Sequence, residues 1–506
     1  MIIPETVERR KRSIERRLNG PIEQDFTGPM FAASNIQYEL ADRTRAVGYG
    51  GIGLVHKLAR QAGLIDAIDR RLHLLKIHLP YHESDHVLNL AYNALCDGRC
   101  LEDIELRRND ETFLDALGTQ RIPDPTTAGD FCRRFHSAGP IRQLEEAIDE
   151  ARLNVWSKQP EEFFEQAIID MDGHLVGTTG ECKQGMDVAY NGTWGYHPLI
   201  VSLANTGEVL SILNRPGNRP SHEGAAGQCD RAIALCRRAG FRKVLLRGDT
   251  DFSQTEHLDR WDEGGVTFQF GYDAKANLEE IADDLPKTRW KKLKRPPRYQ
   301  VRTRKRRRPD RIKAKIVHDR GFEVLSLESE EVAEFDYRPT KCKKTYRMVV
   351  VRKNISRERG ERRLFDEVRY FFYITNDRES TPAEVVFSCN DRCDQENLIE
   401  QLKNGVRALR APVDNLFSNW AYMVMTGLAW NLKAWWALRL PEKGRWATKH
   451  RAEKQALLNM DFRTFVHSVM KIPCQIIRTG RRLIYRLLGW NPWLPAFRRL
   501  AVQLNC

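Results

Sequence analysis

A chain of 506 residues with 41% hydrophobic and 30% charged residues has the composition of a soluble globular protein, not of a disordered or fibrous one, and it is long enough for roughly two to four domains. The formal net charge of +14 and a pI near 9.3 point to a polyanionic partner. Eleven cysteines occur, but Cys96/Cys100 and Cys389/Cys393 have no second pair or His partners at zinc-ligand spacing, so reduced cysteines are expected.

The polar start MIIPETVERRKRSIERR has no apolar leader core, and a cytoplasmic protein is expected. Residues 1–50 read as an arm. Residues 51–155 carry apolar residues at three- and four-residue steps and form a helical, DNA-binding region in this reading. Within it Ser84 is expected to cap one helix that stops near Gly98, and Thr126 or Thr127 to cap another. From 160 to 275 the pattern changes to strand, hairpin pair, helix, strand. AIIDMDGHLV alternates, which places Ile168, Asp170, Asp172 and His174 on one face. Asn205-Thr206-Gly207 marks a hairpin between YHPLIVSLA and EVLSIL. FRKVLLRGD reads as a buried strand that ends at Asp249.

Between Asp249 and Glu396 lie 146 residues, too many for a simple connection. Residues 276–367 are expected to form an inserted basic, β-rich domain. Lys287 to Lys315 holds sixteen Lys or Arg against the single acid Asp310, a local excess as large as that of the whole chain. Lys291, Lys292, Arg304, Lys305, Arg306, Arg307 and Arg308 are its candidate DNA contacts, with Trp290 and Tyr299 interleaved as base-stacking groups. The region 368–440 returns to the core: YFFYITND reads as a strand, and a helix follows near Asn390. The apolar stretch Leu416 to Leu440 contains Asn419, Asn431 and Lys433, and so reads as a buried helix, not a membrane span. The tail 441–506 is basic, with TFVHSVMKI and RRLIYRLLGW expected to be helical.

Arg392, Glu396 and Lys403 are spaced by four and seven residues, on one stripe of a 3.6-residue helix, with Leu398, Ile399, Leu402 and Val406 on flanks that pack inward. Phosphoryl transfer with two cations needs converging carboxylates, and magnesium takes hard oxygen ligands. An acid in a first strand, a second just past a fourth strand and a third on a late helix meet at one sheet edge. That is the RNase H-like arrangement. It fits Asp172, Asp249 and Glu396, with Asp170 as the alternative first acid on the same face.

These residues resemble those of a DDE transposase of a bacterial insertion sequence, over roughly residues 40–440. RGDTDF is similar to the family's block at the second catalytic Asp, with Asp251 a departure that adds an acid. YITNDRESTPAEVVFSCNDRCDQENLIEQLK is similar to the block at the catalytic Glu, whose signature is Y-x2-R-x3-E-x6-K. Arg392, Glu396 and Lys403 stand at its R, E and K, and Cys389 stands at its Y. The resemblance implies an α/β RNase H-like core, interrupted by a β-rich insertion and preceded by a mainly helical domain. It implies Mg2+ (with Mn2+ able to substitute), Asp172, Asp249 and Glu396 as catalytic and metal-holding residues, and DNA contact by Arg392 and Lys403. The partners implied are transposon ends, target DNA and a second copy of the chain, with no membrane. The activity implied is cutting at terminal inverted repeats and joining of 3′-OH ends. An RNase H-like nuclease without strand transfer, or a non-catalytic domesticated DNA-binding protein, are the alternatives.

Overall fold

A computed structural model describes residues 3–19, 37, 44–77, 80–295, 311–360, 362–479 and 482–506. The N-terminal region is helical. Ile52–Gln61 and Leu64–Arg71 are separated at Gly63, whose φ of +74° is costly for any residue with a Cβ. Then come α1 (Glu83–Leu95), Pro125–Arg133 and α2 (Ala138–Trp156). Two caps differ from expectation. His82, not Ser84, precedes α1, and the Ser84 hydroxyl instead donates to Asp69 at 2.9 Å, tying two helices together. Asp124, not a threonine, caps Pro125–Arg133 and accepts from Thr127 N at 2.8 Å. A carboxylate ahead of a proline at the first helical position is the better start signal.

Among the described residues one mixed sheet holds nine strands. Strand β1 (Gln166–Gly173) turns Ala167, Ile169 and Met171 into the core and Asp170 and Asp172 to the other face. Strands β2 (Leu199–Leu203) and β3 (Glu208–Leu213) pair antiparallel through the turn at Asn205-Thr206-Gly207, where Gly207 has φ +69°. Helix α3 (Ala225–Ala239) crosses back over the sheet and ends at Gly240. Strand β4 (Lys243–Gly248) then runs parallel to β1, and β5 (Thr267–Tyr272) parallel to β4.

The order across this core is β5-β4-β1-β2-β3. A short strand β6 (Lys291–Lys292) and three long ones, β7 (Glu323–Tyr337), β8 (Tyr346–Arg359) and β9 (Arg362–Thr375), extend the same sheet. Phe372 of β9 stands opposite Tyr272 of β5, so the β-rich segment joins the core by hydrogen bonds. Helices α4 (Pro382–Asp391) and α5 (Cys393–Glu400) pack on β5 and β1 respectively.

Helix α6 (Leu416–Leu438) is buried almost throughout and packs against α1, α2 and β3. It closes the sheet edge at β3 with side chains. Asn431 accepts from Val209 N and donates to Val209 O, both at 2.9 Å. Trp420 donates to Ile212 O. From the N-terminal side, Glu145 accepts from Ile212 N at 3.1 Å, and Arg152 donates to Val209 O at 2.6 Å. Beside them the fully buried Glu208 carboxylate accepts from Arg152 (3.1 Å), Trp156 (2.8 Å), Trp435 (2.7 Å) and Thr206 (2.8 Å).

Lys433, also on α6, donates to Leu458 O at 2.8 Å, the last carbonyl of α7 (Ala447–Leu458), and sits 3.9 Å over the Trp430 ring. Burial pushes its pKa down to about 7. Beyond α7 the chain departs from a helical reading at RRLIYRLLGW. Arg482–Leu487 is a strand, paired antiparallel with Cys474–Thr479, which also takes Ala46–Val47 as a neighbour. That segment carries both a three-four step and an alternation. The β-branched strand just before it decides between them.

Glu208→Ala leaves buried Arg152 with Asp149 as its remaining charge partner and strips Trp156, Trp435 and Thr206 of their acceptor, and should cost about 3–5 kcal/mol in a urea titration. A loss under about 1 kcal/mol would show that Asp149 alone balances Arg152. Lys433 titrates far below the usual lysine pKa of about 10.4, so the unfolded chain binds more protons between pH 7 and that value. Stability should therefore rise with pH across that window. Lys433→Met should raise the melting temperature at pH 7, and the gain should shrink toward pH 10. An equal gain at both values would contradict a neutral buried amine.

Candidate active site

Asp170 and Asp172 share a face of β1 but not an environment. Asp170 is 1% exposed and takes a bidentate ion pair from Arg247 of β4, at 2.7 Å to each oxygen. Arg247 also donates to Ser388 O at 2.8 Å, which pins α4 to the same point. Asp172 lies two residues on, where the strand reaches the open end of the sheet. Its Oδ1 accepts from Gly173 N at 2.8 Å, and its Oδ2 lies 3.4 Å from Arg392 Nη1.

Asp249 follows the adjacent parallel strand β4, so both acids come to the same sheet end. Its side chain accepts from Asp251 N at 3.0 Å and starts the turn Thr250–Phe252. That turn lies across β5 at Gly271, where a Cβ would come within 2.9 Å of Thr250 N.

Helix α4 begins with a capping box between Thr381 and Glu384 and ends at Arg392, which also starts α5. The stripe expected on one helix is thus divided. Arg392 sits at the break, Glu396 on α5, and Lys403 in the π-helical turn Gln401–Gly405. Gln395 fixes the rotation of α5: it is 1% exposed, donates to Ile200 O at 3.0 Å and accepts from Ser202 Oγ. Leu398, Ile399, Leu402 and Val406 are buried, and Glu396 and Lys403 face outward. Cys389 is buried against Val385, Val386 and Val351, and burial pushes its thiol up to about 12.

The charges act on one another. Burial, then the charge of Asp249 and more weakly that of Glu396, push the Asp172 carboxyl up to about 6, against Arg392. Burial also raises Asp249; Arg392 opposes this, and Asp251 and Asp273 add to it. Lys403 acts further along, on His174, whose pKa is lowered by burial and then by that cation.

Among the described residues no three His, Cys, Asp or Glu side chains stand close enough together to hold a metal ion. The donor chemistry nonetheless fits one, because Asp172, Asp249 and Glu396 offer hard carboxylate oxygens whose mutual repulsion a divalent cation would relieve. The Arg392 guanidinium is the positive charge in that place.

His197 is a residue that no sequence spacing singles out. It is 7% exposed, and its Nδ1 donates to Arg219 O at 2.9 Å. Its Nε2 then faces Gly173, where an added Cβ would meet it at 2.5 Å. Buried Arg215 holds the surrounding loop through the carbonyls of His197, Pro220, Ser221 and Glu223. Lys291 and Lys292 are exposed on β6, six strands from β1, which is roughly 30 Å at about 4.8 Å per strand. They do not join the acids. Nearby Arg295 is paired bidentately with Glu330. Arg304, Lys305, Arg306, Arg307 and Arg308 lie outside the described residues.

Residues 37–505 match the family described as transposase DDE domain group 1, and the chain belongs to that family. No curated protein matches it. Among solved structures it is similar to the piggyBac transposase synaptic complex with hairpin DNA, at 10% identity and a TM-score of 0.38, over 83% of this chain and 82% of that one. At those values the likeness carries no argument about this chain.

The two aspartates of β1 should separate by stability alone. Asp170→Asn leaves Arg247 buried and unpaired, and should cost about 3 kcal/mol or more. Asp172 has a folded pKa near 6 against about 3.9 unfolded, so its charge is disfavoured in the fold at pH 7. Asp172→Asn should therefore hold or raise stability at pH 7 without divalent cations, and lose that gain at pH 3.5. Equal destabilisation by both variants in urea titrations would contradict the assignment.

Proposed function

We propose that this member of the DDE transposase family cuts DNA at the terminal inverted repeats of its own insertion sequence and joins the 3′-OH ends to target DNA. Asp172, Asp249 and Glu396 hold two divalent cations in this reading, Mg2+ with Mn2+ able to substitute. The observation that carries it is that half-buried Asp172 and Asp249 lie at one sheet end, both raised by burial, with the charges of Asp249 and, more weakly, Glu396 adding to the rise at Asp172. A protein that only binds DNA has no use for that arrangement. The order β5-β4-β1-β2-β3, with the first three strands in sequence antiparallel and the last two parallel, supports an RNase H-like core.

When bound, divalent cations supply charge stabilisation at the attacking and leaving oxygens. The chain's own residues do the rest. Asp170 and Arg247 lock β1 against β4, which keeps Asp172 and Asp249 side by side. Arg392, now on Asp172, is free to turn its planar fork onto a phosphate of the cleaved end. Lys403, further along near His174, meets the flanking phosphate as a point charge. His197 fills the floor beneath Gly173 and excludes water there. The basic segment with Lys291, Lys292, Arg304, Lys305, Arg306, Arg307 and Arg308 grips DNA backbone, with no base reading. Two protomers in a bacterial cytoplasm, each holding one element end, complete the proposal.

Asp249→Asn or Glu396→Gln should slow cleavage of end DNA in magnesium by about a thousandfold or more, since several kcal/mol of charge stabilisation is lost. Affinity for the same DNA should stay within a few-fold. Near wild-type cutting by either variant sinks the assignment. Nicks without joined products in a plasmid target assay would favour the nuclease reading.

A further inference from the structure

In the proposed function the carboxylates hold cations, while Arg392, Lys403 and the basic segment contact phosphates, which carry no sequence information. Choosing element ends over other DNA needs a further element that reaches base edges. The C-terminal region has the charge for it. From Phe462 to Cys506 the chain has eight Lys or Arg and no Asp or Glu.

Within that region Cys474–Thr479 and Arg482–Leu487 form a two-stranded ribbon, and Ala46–Val47 pairs only with Cys474 and Gln475 at its base. One face of the ribbon is seated on the N-terminal helices. Cys474 and Ile476 are buried, and Tyr485 donates to Ala116 O. The Tyr485 ring lies so close over Gly53 that a Cβ there would come within 2.4 Å. The other face carries Gln475, Ile477 and Thr479 opposite Arg486, Ile484 and Arg482. Arg482, Ile484 and Arg486 are exposed, and among the described residues neither arginine has a carboxylate partner. Arg486 Nη1 donates to Gln475 Oε1 at 3.2 Å, which ties those two side chains together.

A two-stranded ribbon fits the major groove of B-DNA, about 12 Å wide. Gln475 to Thr479 covers roughly 14 Å at about 3.4 Å per residue, or about four base pairs. The residue types match base edges: arginine suits guanine O6 and N7, glutamine suits adenine N6 and N7, and the isoleucines suit thymine methyl groups. Two contacts set the ribbon on the path of a bound duplex. Arg10 of the basic helix Ile3–Asn19 donates to Leu487 O at 2.8 Å, which brings exposed Arg9, Arg12 and Arg16 beside the ribbon as backbone contacts. Gln401, in the turn that carries Lys403, donates to Asp461 Oδ1 at 3.1 Å and accepts from Phe462 N at 2.9 Å. The turns Phe462–Phe465 and Val466–Met470 and a short link then reach the ribbon, a span of roughly 25 Å or about seven base pairs. A second copy of the chain is the other occupant that an edge strand invites, but it would set Arg482 and Arg486 of both copies on one short edge. We propose that the ribbon enters the major groove of the element-end duplex and reads its sequence, with Gln475, Arg482 and Arg486 on base edges. That the duplex is an element end rests on the transposase reading.

The test measures binding of the full chain, in EDTA, to a duplex carrying the terminal repeat and to a shuffled duplex of the same composition. Gln475→Ala, Arg482→Ala and Arg486→Ala change surface side chains and should leave the melting temperature unchanged. Each should weaken end binding by about tenfold and shuffled binding by no more than a few-fold. Arg12→Ala on the basic helix should weaken both alike. 7-Deazaguanine, placed at each guanine of the end in turn, should weaken wild-type binding at a position where Arg482→Ala or Arg486→Ala no longer responds. Equal losses on both duplexes would make the ribbon a backbone contact and overturn the proposal. So would a preference for the end duplex that all three ribbon variants keep, or one that the wild type lacks. Cutting in magnesium is scored separately. A chain that prefers and cuts end DNA while its ribbon variants keep that preference sinks the ribbon alone; one that reads the end through the ribbon but never cuts it sinks the transposase reading alone.

Discussion

The structure depends on how one strand edge is closed. Strand β3 ends the sheet and would present bare N–H and C=O groups, each as costly to bury unpaired as a lost hydrogen bond. No further strand covers it among the described residues. Asn431 and Trp420 from α6, with Arg152 and Glu145 from α2, take up the backbone groups of Val209 and Ile212 instead. Glu208 then draws Arg152, Trp156 and Trp435 onto a single carboxylate. The N-terminal helices, the sheet and the long buried helix are therefore one cooperative unit. The sheet end that carries Asp172 and Asp249 inherits its rigidity.

Within that frame two residues' difference in depth separates two uses of the same side chain. Asp170 is consumed by Arg247 and serves as a clamp between neighbouring parallel strands. Asp172 stands where the clamp no longer reaches and is left facing other acids. The late helix meets them because Gln395 hydrogen-bonds to β2, which leaves Glu396, one step round, outside. The break at Arg392 lets the guanidinium turn back toward both aspartates, which a straight helix would carry it past.

Local signals in the sequence were legible where chemistry and periodicity agreed. The turn at Asn205-Thr206-Gly207, the helix closed by Gly240, the strand ending before Asp249 and the inward face of Leu398, Ile399 and Leu402 all follow from residue type and spacing. What escaped depends on partners distant in the chain. Alternation puts Asp170 and Asp172 on one face but says nothing of Arg247, 77 residues from Asp170. Ser84 resembles a cap until Asp69 claims its hydroxyl. RRLIYRLL satisfies two periods at once, and only its neighbour Cys474–Thr479 makes it a strand. His197 lies in a family-like run, GYHPLIV, but nothing in its spacing marks a role for it; its position is set by the Arg215 loop.

The closure of β3 also sets an order of events during synthesis. The strand and its α2 partners are made early, but Asn431 follows Val209 by 222 residues. At about 5–20 residues per second, roughly ten to forty seconds pass before the α6 side chains leave the ribosome. Through that interval the nascent sheet carries a half-open edge beside a buried-type carboxylate. Nascent chains on one message are then most prone to pair with one another through β3, and slower translation of the stretch before α6 would lengthen that exposure.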